Sequence, residues 1–274
     1  MWSPVQNKTI DPPPLLVCIH GGGYTHRYFD IPGVSLIEAG NLAGFHVFSL
    51  DRPGHGGSQQ LQKGSNLILG NGEIIIDAIN ELIKLYATDV TNVVLIGHSM
   101  GGACAVSAGS MQPNWLSGIA ISGVGYNPVQ MKLLPLFHFF HRIKLPKFIL
   151  IRAMFGPANT YDKKMAYDQI NLSSCKILKQ EAIEMTKWWP HNLHSITQKI
   201  NVPVDSAIAQ YESLWVVNSE SVKNFSDAFI NSEHVSAYIV ADVGHCIEHH
   251  IKGADFHSRQ LAFATKCYTD RVLP

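Results

Sequence analysis

Charge is what this chain has least of. Only 15% of its 274 residues are Asp, Glu, Lys or Arg, against about 25% in an ordinary soluble domain. Neither sign prevails, since 21 Lys and Arg face 21 Asp and Glu. A nucleic-acid binder carries a basic excess, so that class is excluded. Disorder is excluded from the other side: with 46% hydrophobic residues the chain can bury enough surface to offset its conformational entropy. No C-x-x-C pair occurs. Cys18, Cys104, Cys175, Cys246 and Cys267 are odd in number and scattered, which excludes a zinc knuckle or a thioredoxin-like centre. Cys18 and Cys104 lie in apolar runs and read as small buried hydrophobes.

Long apolar runs are missing too. None reaches the roughly 18 uncharged residues of a membrane span. The opening MWSPVQNKTIDPPP lacks a basic start followed by an apolar core, so no secretory signal is expected. The expectation is a reducing, cytoplasmic setting. One absence is local: no Asp or Glu occurs from Ala103 to Tyr161, a stretch with five Lys and Arg, which leaves 16 basic against 21 acidic residues elsewhere.

What is present alternates in a regular way. Apolar, β-rich runs at 15–20, 46–50, 93–97 and 119–123 are interleaved with helical patterns at 73–86 and from Met100 onward, as a parallel sheet flanked by helices requires. Alternation lapses between Tyr126 and Asn201, where helices are expected, broken by Pro135, Pro146, Pro157 and Pro190. It resumes with a strand at 202–210, a helix at 221–229, a strand at 235–241 and a closing helix at 256–268. The expected architecture is therefore an α/β core made of residues 1–125 and 202–274, interrupted by a helical cap at 126–201. The length suits one such domain.

Two glycine motifs sit where strands end. In VVLIGHSMGG, Gly97, Ser99 and Gly101 fit G-x-S-x-G. A strand that turns sharply into a helix holds the central serine in strained geometry. Small residues two before and two after it avoid clashes and leave the hydroxyl exposed. In HGGGY, His20 to Tyr24, glycine lets backbone N–H groups approach a developing oxyanion. Gly22, with Gly23 as a further candidate, and Met100 just after the serine are the expected donors. Tyr24 and His98, beside these motifs, and Trp188 and Trp189 in the cap are candidate substrate contacts. In such a turn His98 faces away from the nucleophile.

Of 14 histidines, His245 in VADVGHCIEHH lies just past the last strand, over the sheet edge that carries the elbow. His249 and His250 fall at the start of the next helix, and His20 and His55 read as structural. An imidazole base needs a carboxylate to hold its tautomer. The acid-free stretch removes the loop after the fourth strand from consideration. In AQYESLW, Glu212 stands where the next strand ends. Asp205 is at that strand's start, Asp227 within the following helix, and Asp242 only three residues before His245. Glu212 is the expected acid.

Together these segments resemble the α/β-hydrolase superfamily, in its capped branch of esterases, lipase-like enzymes and C–C bond hydrolases. The resemblance spans nearly the whole chain and rests on HGGG, DRPGHGGS, GHSMGG, the acid loop and the late GH. It implies Ser99 as nucleophile, His245 as base, Glu212 as acid, and Gly22 with Met100 as oxyanion donors. Asp51 to Ser58 match a segment that shapes the core turn. In the acid loop Ala209 and Glu212 stand where the family has Gly and Asp, and the N-terminus leaves room for one early strand where two are common. The activity implied is hydrolysis of an ester, lactone or thioester of a small, largely apolar molecule through an acyl-enzyme, with no cofactor and no metal. Acyl transfer, thioester or C–C bond hydrolysis, and a ligand receptor on a hydrolase fold are the alternatives. In the cap, Lys132, Arg142, Lys144, Lys147 and Arg152 either attract an anionic substrate or form a solvated face.

Overall fold

The computed structural model describes residues 1–4, 14–60, 66–129, 142–143 and 145–272. Pro135, Lys132 and Lys144 lie outside them. Seven strands form one sheet: β1 (Trp2–Ser3), β2 (Leu15–Ile19), β3 (His46–Leu50), β4 (Val93–His98), β5 (Leu116–Ser122), β8 (Val204–Tyr211) and β9 (Val235–Gly244), in the spatial order β1-β3-β2-β4-β5-β8-β9. All pairings are parallel except the two-residue β1 on β3. Every residue of β2, β4 and β5 is buried. Strands covered on both faces need continuous apolar runs rather than alternation, and that is how these segments read. Strand order reverses between β2 and β4, so a crevice opens beyond their carboxyl ends, where ligands bind in open α/β sheets.

Helices cover both faces. α2 (Leu67–Tyr86) buries Leu67, Ile68, Asn71, Gly72, Ile75, Ile79 and Leu82, a helical stripe that begins a turn and a half earlier than its apolar pattern alone suggests. α3 (Met100–Gly109) is buried along its whole length. Its small residues admit close neighbours: a Cβ on Gly72 of α2 would lie 2.5 Å from Ser107 Oγ. On the opposite face α1 (Leu36–Leu42) and α9 (Gly253–Val272) pack on the sheet through Leu36, Ile37, Ala264 and Cys267. α8 (Ser219–Asp227) joins the α2–α3 side through Phe225 and is closed at its start by a reciprocal Asn218–Ser221 capping box.

Between β5 and β8 lie α4 (Lys147–Phe155), α5 (Lys163–Ser173), α6 (Lys179–Ile183), one π-helical turn (Glu184–Trp188) and α7 (Trp189–Thr197). Two short strands, β6 (Arg142–Ile143) and β7 (Ile177–Leu178), pair antiparallel there, where the sequence suggests helices only. α7 packs on α3 and contributes Trp189, Leu193 and Ile196 to the main core. Glu184 ties the π turn to the core by accepting from the Leu67 and Ile68 N–H groups (2.8 and 3.1 Å) at the start of α2. A carboxylate there meets orphan donors and the positive end of the helix.

Candidate active site

β4 runs into α3 through Ser99, whose backbone sits at φ 52°, ψ −123°. That region is costly for a residue with a Cβ and persists only where its surroundings impose it. A Cβ on Gly97 would lie 2.6 Å from Gly101 O, and one on Gly101 would lie 2.1 Å from Ile19 O. Both motif glycines are therefore demanded by close backbone approach. The Ser99 N–H donates to Ser122 O (2.7 Å), and the Ser99 carbonyl accepts from Gly102 N (2.8 Å). The side chain emerges at the switch-point crevice. Gly22 and Gly23 border the same cavity, and Gly23 has φ +73°.

His245 and Glu212 meet through a strand irregularity. β8 and β9 pair Ala209 with Val240, then Tyr211 with Gly244, so β9 carries two extra residues in that interval. Asp242 takes the strain with φ 61° and donates its N–H to Gln210 Oε1 (2.9 Å). Such bulges turn strand ends toward functional positions. The residue after each member of the last pair is Glu212 on one strand and His245 on the other. His245 Nδ1 lies 2.8 Å from Glu212 Oε2 and 3.0 Å from Oε1. Oε1 also accepts from the Ser213 and Leu214 N–H groups, both at 2.9 Å. A carboxylate so occupied accepts a hydrogen bond from Nδ1–H, so the ring proton stays on Nδ1 and Nε2 is left as the free acceptor. Both side chains are essentially buried.

The cavity above these groups has a volume of about 360 Å³ and is bordered by Ser99, Met100, Gly22, Gly23, Tyr24 and His245. Its other walls are mostly apolar and come from the β5–β8 stretch, among them Leu145, Ile149, Met154 and Ile177, with Leu214 and Trp215 beside Glu212. Of the expected substrate contacts, Tyr24 borders the cavity, whereas His98, Trp188 and Trp189 do not. Trp189 is fully buried with Nε1 on Gly125 O (3.3 Å), and Trp188 packs against the core. The aromatic pair fastens helices instead of walling a pocket. Lys147 and Arg152 are exposed and outside the cavity, which makes them a solvated face.

His98 instead backs His245. Their ring centroids are 4.8 Å apart, and His98 stacks on Tyr28 at 4.5 Å. Burial holds His98 well below the usual imidazole range, so it is neutral, and neighbouring histidines push the same way. Its Nδ1 is 3.0 Å from Ser122 Oγ. Ser122 Oγ and Tyr28 OH (2.7 Å) donate to the two oxygens of the fully buried Glu248. Sequence reasoning missed this Glu248–Ser122–Tyr28–His98 assembly, because its members are spread over four segments with no shared motif. His249 and His250 form a 3₁₀ turn and its cap, short of α9, and both are buried. His20 and His55 are buried in the core, as expected of structural histidines. Asp205, at the other end of β8, accepts from Tyr238 OH (3.0 Å). Among the described residues no group of three or more His, Cys, Asp or Glu could hold a metal ion, and no helix is long and apolar enough to cross a membrane.

A strained serine on a strand-to-helix turn and a carboxylate-bound histidine thus border one cavity at the edge of a parallel α/β sheet. Residues 16–250 match the alpha/beta hydrolase family, and the chain belongs to it. No curated protein matches the chain in sequence. Its fold is similar to that of a monoacylglycerol lipase from Paleococcus ferrophilus (TM-score 0.67, 19% identity, covering 93% of this chain and 96% of that one). It is also similar to a thermophilic esterase from Thermogutta terrifontis (TM-score 0.69, 16% identity, 95% and 92% covered). A third similar fold is a thioesterase domain from the curacin biosynthetic pathway (TM-score 0.63, 15% identity, 93% and 92% covered).

Proposed function

We propose that the protein hydrolyses carboxylic esters of short to medium, largely apolar acyl groups through a Ser99–His245–Glu212 triad and an acyl-enzyme. The observation that carries this reading is the bond from His245 Nδ1 to the backbone-anchored carboxylate of Glu212, with the imidazole facing the same cavity as Ser99. In this mechanism His245 Nε2 takes the Ser99 proton as the hydroxyl attacks the ester carbonyl. Glu212 stabilises the imidazolium that forms. The Gly22 and Met100 N–H groups receive the oxyanion, Met100 lying at the positive end of α3. His245 then returns the proton to the departing alkoxide. Water, deprotonated by the same nitrogen, then attacks the acyl-enzyme, and His245 returns that proton to the departing Ser99 oxygen as the carboxylic acid is released.

The apolar walls and a volume of about 360 Å³, near the lower end for small-molecule sites, favour an acyl chain over a polar or bulky one. The family resemblance and the similarity to esterase and lipase folds support the reaction class. Turnover of p-nitrophenyl esters graded from acetate to laurate tests the reading, together with Ser99→Ala. The expected outcome is an optimum at short to medium chains and loss of turnover in the variant. Unchanged hydrolysis by Ser99→Ala would exclude the mechanism.

A further inference from the structure

A fully buried cation lies beneath the oxyanion loop. Arg52, in the DRPGHGGS turn after β3, is 0% exposed. Four of its donor contacts are to three different parts of the chain. Nε donates to His20 O (2.8 Å) and Nη2 to Gly21 O (3.1 Å), the carbonyls that open HGGG. Nη1 reaches Glu181 Oε1 (2.6 Å) on α6 and, more distantly, Asn71 Oδ1 (3.3 Å) on α2. His20 reinforces the same peptide. Its Nε2 accepts from the Arg52 N–H (3.1 Å), which fixes the tautomer with the proton on Nδ1, and Nδ1 donates to Gly21 O (2.8 Å). Burial keeps His20 neutral, and the adjacent Arg52 charge acts in the same direction.

The consequence is geometric. In a trans peptide the carbonyl and the next residue's N–H point in opposite directions. Two donors holding Gly21 O on the Arg52 side therefore turn the Gly22 N–H to the other side, toward the cavity that Ser99 and Met100 border. Glycine adopts many backbone conformations at little cost, so HGGG does not set this orientation by itself. Arg52 is in turn aimed by Glu181, whose buried carboxylate also borders the cavity beside Gly22, where a Cβ on Gly22 would lie 3.2 Å from Oε2, and whose Oε2 lies 3.4 Å from His55 Nε2. We infer that Glu181 and Arg52 are positioning residues for the oxyanion hole, so that seating of α6, in the stretch between β5 and β8, is what orients the Gly22 donor. This inference rests on the proposed hydrolysis and adds to it a requirement that the Glu181 carboxylate of α6 be held against Arg52 for catalysis. Burial would raise the Glu181 carboxyl, but the Arg52 charge with His55 outweighs it and holds the group down to about 2. The pair is thus ionised at neutral pH.

Glu184 provides the control, since it ties the same stretch to the core at the start of α2 without touching the oxyanion loop. The experiment compares Glu181→Gln, Glu184→Gln and the double replacement Arg52→Met with Glu181→Leu, which removes the ion pair without stranding a buried charge. The readouts are kcat and KM on a p-nitrophenyl ester, inhibition by a trifluoromethyl ketone that forms a tetrahedral adduct, and the thermal midpoint. Loss of a whole oxyanion donor costs 10²–10³ in kcat, so a misdirected donor should cost about 10- to 100-fold. Glu181→Gln and the double variant are expected to lose kcat and ketone affinity by similar factors. Glu184→Gln is expected to lower the thermal midpoint and leave kcat within about twofold. Equal kcat losses in Glu181→Gln and Glu184→Gln, or a folded double variant with wild-type kcat, would overturn the inference. A wild-type protein that neither hydrolyses esters nor reacts with a fluorophosphonate would overturn the hydrolase reading itself.

Discussion

Replacing Glu212 by Gln changes one atom at the hinge of the mechanism, and the structure determines how that change propagates. Oε1 is engaged by the Ser213 and Leu214 N–H groups at 2.9 Å, so the remaining oxygen of a glutamine must occupy that site. The amide NH₂ then falls where Oε2 stood, 2.8 Å from His245 Nδ1. Two donors would face each other. The imidazole escapes by moving its proton to Nε2, which leaves Nδ1 as acceptor and removes the lone pair that would take the Ser99 proton. In the Ser-His-Asp template the same amide replacement lowers kcat about 10⁴-fold through the wrong tautomer, equivalent to about 5.5 kcal/mol of barrier. A similar loss is expected here, with the fold intact because both backbone contacts survive. Steady-state kinetics on a short p-nitrophenyl ester, beside a urea denaturation curve, measure both quantities. A kcat within threefold of wild type would refute the assignment of Glu212 as the acid. A loss accompanied by unfolding would refute the claim that the amide fits the site.

Two further outcomes follow from packing and titration. Gly101→Ala would place a Cβ 2.1 Å from Ile19 O and 2.4 Å from His20 O. Both are backbone carbonyls that cannot yield cheaply, so a destabilisation of roughly 3 kcal/mol or more is expected, seen as a lower urea midpoint; an unchanged midpoint would contradict the reading of the elbow. Acid should also destabilise the protein early. Burial lowers His250 to about 4, against about 6.5 for an exposed imidazole, despite its bond to Thr160 O. Between those pH values the unfolded chain binds a proton that the folded chain refuses. His250 stability is therefore complete above about pH 6.5 and lost as pH falls through 4, amounting to about 3 kcal/mol. His20, His98, His249 and His257 are lowered too, in each case chiefly by burial. Urea midpoints at pH 8, 6 and 4.5 should fall in that order, and a flat profile would contradict the burial argument.

The succession of strands along the chain and the strand-to-helix turn at Ser99 were legible because their signals are local. A fully buried parallel strand must be an unbroken apolar run, as Leu15–Ile19 and Val93–His98 are, and a strained serine needs small neighbours at fixed offsets. The contact of Glu212 with His245 could be anticipated by elimination, since few acids stand at the carboxyl ends of strands. Other features depend on contacts that no short segment encodes. The bulge that sets Glu212 beside His245 extends β9 to Gly244, three residues past its apolar pattern, and turns on a positive φ at Asp242. Trp188 and Trp189 resemble pocket walls in sequence because a large aromatic reads alike in a core and in a cavity; only packing separates them. Glu181 and Glu184 look like ordinary helix acids, and their burial against Arg52 and the start of α2 follows from how the β5–β8 stretch sits on the core.

The central claim is that Ser99 is the nucleophile, activated by His245. The most direct measurement is the intact mass of the protein after brief exposure to an alkyl fluorophosphonate, followed by peptide mapping. A single adduct on Ser99 is expected, abolished in Ser99→Ala and slowed by orders of magnitude in His245→Ala. An adduct on another residue, or none in a folded wild-type protein, would contradict the account.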